Sequence, residues 1–367
     1  MLPYNRGMSH LDILLPFGLP PPELASDLLR ALKAPSLAML LGRARLRHQA
    51  FDGFARALPH ETWLALQFEL PDGTRTGGSL PVAHRARQAL GLPPVAGIWF
   101  ILHPVHIVAA SDHLVLIDRR HLVITEVESR VLFESAQPLF EEAGKQLIYG
   151  DADTWFVRAD DWGGLRTATP DAACGHNIDI WMPKGDGDRD WRKLHNEVQM
   201  DWHTHSVNNE RAARGLKPIN ALWLWGGSSD ATDTQDNPGS KPASRPASIP
   251  AASPYARSFN LPIWLQEPAK HGATTIDDVT VPGSEKRLLV LDTLVEAALA
   301  ADWAEWLTRL HQLEADWFAP LLAALKDGQL ERITLLPSHN IALSEFTITP
   351  HSLRKFWVKP SLARLLP

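Results

Sequence analysis

The sequence predicts an α/β protein in which a mostly parallel central sheet, covered by helices, carries an inserted smaller α+β lobe. Three observations point there. The chain opens with a short apolar run followed by two helical stretches, the strand–turn–helix order of an α/β fold. A later run, Ala221–Trp225, is apolar throughout, of strand length, and closed by Gly226-Gly227. It reads as a buried parallel strand with a functional loop at its C-terminal end. Between residues 60 and 160 the chain reads as strand after strand, which interrupts the alternation and suggests an insertion.

The elements follow in order. Ile13–Phe17 is a strand ended by Gly18 and prolines. Pro22–Lys33 is helical, with Leu24, Leu28, Leu29 and Leu32 on one face, and Pro35 opens a second helix over Ser36–Arg45. Thr62–Leu70 alternates in part and reads as a strand. Gly97–Ala110 and His113–Ile117 are β-rich and separated by Ser111-Asp112. Pro138–Lys145 is helical and Thr154–Arg158 is a strand. Helices are expected over Asp190–Ser206 and Asn209–Gly215. Residues 228–258, dominated by Ser, Pro, Ala and Asp, hold too little apolar surface to offset chain entropy, so a disordered loop is expected. Leu288–Leu291 is a strand. Thr293–Leu325 is helical with a break near Pro320, and Ile333–Leu336 and Ile341–Ile348 are strands. The expected division is residues 10–60 as the first part of the core and 61–175 as the lobe with its connections. Residues 176–227 then return to the core, 228–258 form the loop, and 259–367 complete the core.

Bulk properties exclude several function classes. The 367 residues are 45% hydrophobic and 21% charged, enough to bury a large core. A net charge of −6 without a basic stripe argues against sequence-independent nucleic-acid binding, which needs Lys and Arg to neutralise phosphates. The single cysteine, Cys174, excludes an intramolecular disulfide and a Cys-based zinc site. Near the N-terminus the apolar stretch is short and broken by Pro16, Gly18 and Pro20, and no run has the length of a membrane span. A cytoplasmic protein without membrane or nucleic-acid partners is expected. The 14 tryptophans are read as core, with a stacking surface for bases or sugars as the alternative.

Among polar constellations, Asp186-Gly187-Asp188-Arg189-Asp190 with Glu197 has calcium-loop spacing, but Trp191 occupies the position that needs glycine, so a helix cap is the better reading. Glu197, Asp201 and His205 would stack on one helix face, as a metal site or a solvated surface. There is no G-x-S-x-G elbow and no phosphate-binding glycine loop. The most specific segment is 203–227, HTHSVNNERAARGLKPINALWLWGG. Asn208, Arg211 and Asn220 gather at element ends, ahead of Trp225 and Gly226. Arg211 can grip a phosphate or carboxylate at two points; equally, these groups can cap helices and satisfy backbone.

VNNERAARGLKPINALWLWGG resembles the segment N-x-x-R-x-x-x-G-x-x-P-x-N with a following W-x-W-G strand of the archaeal-type cofactor-independent phosphoglycerate mutases, in the alkaline phosphatase superfamily. The chain is also similar to bacterial regulatory or phosphoglycerate mutase-like proteins encoded with pathogenicity-factor regulators in plant pathogens. The resemblance implies an alkaline phosphatase-like three-layer sandwich. It makes PFGLPPPELASDLLRALKAPSLAMLLGRA similar to the family's opening strand and helix, residues 97–160 to its lobe, and His176–Asp179 to a P-P-H-D-I segment. Leu288–Asp292 and Leu335–Asn340 resemble two late core strands.

It also implies two divalent metals, manganese or zinc, that hold the phosphate and lower the pKa of a Ser or Thr nucleophile. The departures fall on those ligands. Phe17 stands where the family has aspartate, Pro337-Ser338-His339 stands for S-D-H, and Asp292 is not followed by the D-x-x-G-H signature. Asp292 and His339 are the residual metal candidates, and Ser79 is the nearest candidate nucleophile. The expectation is a degenerate site with no cofactor. Asn208, Arg211, Asn220, Trp225, Gly226, His176 and Asp179 would remain to bind a phosphorylated metabolite or a protein partner in a regulatory role. The alternative is an active phosphomutase or phosphatase using manganese or zinc on a rearranged set, His176, Asp179, Asp292 and His339.

Overall fold

The structure, a computed structural model, describes residues 9–70, 77–229, 254–266, 272–280 and 285–366. The described residues form strands β1 (His10–Leu15), β2 (Arg45–Ala50), β3 (Ile98–Val105), β4 (Ile107–Ala109), β5 (Leu114–Leu116) and β6 (Gln146–Tyr149). They are followed by β7 (Trp155–Arg158), β8 (Ala221–Ser229), β9 (Arg257–Phe259), β10 (Lys286–Val290), β11 (Arg332–His339) and β12 (Ala342–Ile348).

Six of them make the central sheet, in the order β2-β12-β11-β1-β10-β9. The four strands β11, β1, β10 and β9 are parallel; β12 and β2 run antiparallel at one side. Leu11 through Leu15 are buried one after another, so both faces of β1 are covered, as a parallel strand requires. The edge strand β2 is exposed along its length. The expected α/β class with a mostly parallel central sheet is thus observed.

The second sheet, β6-β7-β3-β8, is antiparallel throughout, and β4 pairs with β5 in a separate hairpin. Here the strongest strand expectation is corrected. Ala221–Trp225 is a strand, but it lies antiparallel to β3 in the smaller sheet and not parallel in the central one. An apolar run reports burial on both faces and says nothing about the direction of a neighbour. Nor do Gly226 and Gly227 form a loop. They continue β8, where its register with β3 shifts between Trp99 and Ile101 and Gly226 has φ +75°. A Cβ on Gly227 would lie 2.3 Å from the Phe100 ring, so the glycine is there for close packing.

Four other readings change. Thr62–Leu70 is not a strand. Pro59–Gln67 is a helix that buries His60, Glu61, Leu64 and Ala65, a 3–4 spacing that partial alternation disguised. The helix expected from Pro138 begins at Glu126, capped by Thr125 and Glu128, and runs through the proline to Glu142. The helix Asp188–His203 ends before His205, whose Nδ1 instead accepts from Val207 N–H (3.2 Å) to cap Ser206–Ala213. Glu197, Asp201 and His205 therefore do not form one helical stack. The break near Pro320 is a π-helical turn, Glu314–Phe318, and Glu314 accepts from the N–H groups of Ser36 (2.7 Å) and Leu37 (3.0 Å) to cap the helix Pro35–Arg43. The low-complexity loop lies mostly outside the described residues; Ser228–Ser229 end β8 and Arg257–Ser258 begin β9.

Gly227→Ala should destabilise the protein by about 1–3 kcal/mol, because the added methyl forces Phe100 off its position. Denaturant unfolding of the variant with and without Phe100→Leu checks this; the second substitution should recover part of the loss.

Candidate functional site

The asparagine–arginine motif turns inward. Asn208 accepts from Ile219 N–H (2.8 Å) and donates to the carbonyls of Trp202 and Ile219 (2.8 Å each). Asn220 holds Ile107 in the same two-sided way, through its N–H and its carbonyl (2.8 Å each). Arg211 has no exposed surface. Its guanidinium donates to Lys217 O (2.8 Å), Leu122 O (2.5 Å) and the Glu128 carboxylate (2.9 Å). The reading of Arg211 as a phosphate grip is corrected accordingly: its donors face carbonyls and Glu128, where no ligand reaches them. The motif clamps the helix Ser206–Ala213, the start of β8, the helix Glu126–Glu142 and the β3–β4 junction together. Trp225 is buried against the His103 ring (5.9 Å), whereas His176, packed on Trp181 (6.0 Å), and Asp179 are exposed.

A different cluster forms where the central sheet ends. Parallel β1 and β11 run in register, Leu15 beside Pro337, so both C-terminal ends point the same way. Just beyond, Leu19 N–H donates to Ser338 O (3.1 Å). Phe17 takes a left-handed backbone conformation (φ +57°), unusual for a bulky residue, and its carbonyl accepts from the Trp306 indole (2.9 Å). Its buried ring meets His60 edge-on at 5.8 Å, and His60 Nδ1 is hydrogen-bonded to Ser338 Oγ (3.1 Å). Pro59 at the first turn and Glu61 two residues later start the helix that brings His60 here. Glu61 accepts from Leu58 N–H (2.7 Å) and from the Thr169 hydroxyl (2.8 Å). Beyond lies Asp171, bridged by Arg120 (2.5 Å) to Asp118 (2.7 Å).

Burial pushes His60 down to about 4, with the Asp171 charge opposing it, and pushes His103 down to about 3, so both rings are neutral. Burial, reinforced by Asp171, pushes Glu61 up to about 8. Asp171 goes the other way: burial raises it, but the Arg120 guanidinium outweighs burial and holds it ionised. Two neighbouring carboxyl groups thus sit in opposite protonation states.

The metal candidates are not gathered at this edge. Ser338 and His339 are successive strand residues and point to opposite faces. Ser338 meets His60; His339 accepts from Ile341 N–H (3.3 Å). Asp292 follows β10 but is exposed, as are His176 and Asp179, while His339 is buried, so the rearranged metal set is not assembled. Among the described residues no three His, Cys, Asp or Glu side chains form a metal-holding group. The side chains at the sheet end, a phenylalanine ring and a serine bonded to histidine, do not fit a pair of hard divalent ions. Ser79 is also reassigned. Its buried hydroxyl pairs with Thr167 (2.7 Å) and accepts from Gly226 N–H (3.0 Å), which ties its segment to β8.

The sequence reading missed His60, Glu61, Asp171 and Arg120. A Pro-His-Glu helix start after Leu58 was the one local signal for the first two.

Comparison with known proteins gives the fold. No family model matches the chain, and no curated protein matches it in sequence. The PH0037 protein from Pyrococcus horikoshii superposes with a TM-score of 0.50 at 10% identity, over 94% of this chain and 88% of that one. A cofactor-independent phosphoglycerate mutase from Thermoplasma acidophilum DSM 1728 gives a TM-score of 0.44 at 12% identity, over 98% and 94%. The likeness is one of fold, and it rests on the Pyrococcus horikoshii protein.

Asn208→Ala should cost about 2–4 kcal/mol, because it takes the side-chain partner from both the N–H and the carbonyl of buried Ile219; thermal unfolding reads this directly. Stability should also depend on pH in two opposed ways. Between about pH 4 and 6.5 the unfolded chain takes up protons at His60, His103 and His195 that the folded chain excludes, so stability rises with pH. Glu61 acts oppositely: folded, it keeps its proton to about 8, whereas the ordinary value is 4.5, so its contribution falls as pH rises through that window. Three histidines outweigh one glutamate at the acidic end, which places the optimum at about pH 7 with a decline toward about pH 8. Melting curves of Glu61→Gln across this range should lack the decline.

Proposed function

We propose that this chain is a phosphoglycerate mutase-like protein whose two-metal phosphotransfer centre is replaced by packed side chains, and that it works by binding a phosphorylated metabolite or a protein partner in a regulatory role. The observation that carries this reading is the Phe17–His60–Ser338 contact at the ends of β1 and β11. Two-metal phosphotransfer needs carboxylates and imidazoles there, to hold cations that stabilise the attacking and leaving oxygens. A phenyl ring offers no lone pair, and the serine hydroxyl is held by a neutral imidazole. The resemblance of residues 203–227 to the mutases supports common descent of the scaffold. With Arg211 occupied by Glu128 and carbonyls, the motif supports the lobe's shape and leaves ligand recognition to other residues.

The test is metal analysis of the purified protein together with a coupled assay for conversion of 3-phosphoglycerate to 2-phosphoglycerate, with and without added manganese. The expected outcome is no stoichiometric manganese or zinc and no turnover above background. Chelator-sensitive turnover would overturn the proposal. A thermal shift with 3-phosphoglycerate but not with glycerate identifies the ligand as a phosphorylated metabolite; no shift directs the search to a protein partner.

A further inference from the structure

The chain is acidic as a whole, but its last 22 residues, from Phe346, contain Arg354, Lys355, Lys359 and Arg364 and no Asp or Glu. Beyond β12, residues 350–366 form a strap along the helix Pro35–Arg43. Arg43 donates to Leu353 O and to Val358 O (3.4 Å), and Ser361 N–H donates to Ala38 O (3.1 Å). Arg364 closes the strap on the carbonyls of Leu41 (2.8 Å) and Ala44 (2.7 Å). The strap passes so close that a Cβ on Gly42 would lie 3.0 Å from Lys359 O. A fixed turn results, and it carries Phe356 and Trp357 outward, 84% and 69% exposed, with rings 5.1 Å apart. Arg354 and Lys359, on either side, are exposed, as are Arg45 and Arg47 on the nearby edge strand β2. The ion pairs among the described residues involve other cations.

We propose that this turn is a peripheral docking site for an anionic lipid surface. Two protruding aromatics flanked by Arg354 and Lys359, which take part in none of the ion pairs among the described residues, suit a membrane interface, where the rings enter the headgroup layer and each cation adds attraction to anionic lipid. The chemistry disfavours the other occupants. A second copy of the same face would set cations against cations. The rings stand at 83° to each other, so successive stacked bases cannot lie on both. A peripheral contact needs no membrane span, so the lack of one in the sequence does not bear on it; among the described residues no helix is long and apolar enough to cross a membrane.

Flotation of the full chain with phosphatidylcholine vesicles, with or without phosphatidylglycerol, tests this at low and high salt. Capture is expected on the mixed vesicles alone, weakened by salt. It should fall at least about tenfold in Phe356→Ser/Trp357→Ser and in Lys355→Glu/Lys359→Glu. Brominated acyl chains should quench the wild-type emission more than that of Trp357→Phe, a variant that keeps an aromatic ring. The proposal is overturned if the mixed vesicles fail to capture the protein at low salt, or if the aromatic pair can be removed without loss. It is equally overturned if the variants lose binding to a single-stranded oligonucleotide or an acidic peptide while vesicles capture nothing.

Discussion

A buried polar group must find a partner, and where the central sheet ends against the lobe this rule organises the whole junction. His60 is hydrogen-bonded to Ser338, Glu61 receives the Thr169 hydroxyl, and Asp171 is tied through Arg120 to Asp118. Groups from the helix Pro59–Gln67, from β11 and from the turn before residue 126 are thereby held at fixed distances. At the sheet end itself a ring, an imidazole and a hydroxyl pack together. Phe17 can hold its left-handed backbone because Trp306 fixes its carbonyl and His60 packs against its ring.

The same rule explains the asparagine–arginine motif. Side-chain amides that grip a single backbone residue from both sides, as Asn208 does Ile219 and Asn220 does Ile107, satisfy backbone groups in the way a neighbouring strand would. Arg211 adds a charge-assisted bond to Glu128, the residue that also caps its own helix at Thr125. Residues of this type look like ligand contacts in a sequence because structural clamps and ligand sites draw on the same donors. What separates them is exposure, and Arg211 has none.

The two histidines nearest the junction are neutral and Glu61 keeps its proton, while Asp171 is ionised against the Arg120 guanidinium. An ionised carboxylate costs least in a protein interior when an opposite charge is bonded to it, and the arrangement follows that preference.

Composition and local pattern determined much. The α/β class, the opening strand and helices and the late strands β10, β11 and β12 were all legible, because apolar spacing acts within a few residues. Tertiary structure alone decided that Ala221–Trp225 belongs to the antiparallel sheet, that Arg211 faces Glu128, and that Ser338 and His339 turn to opposite sides of β11. It also brought His60 from residue 60 to residue 338. Strand direction, burial and long-range contact depend on which distant segments pair, and no local spacing encodes that choice.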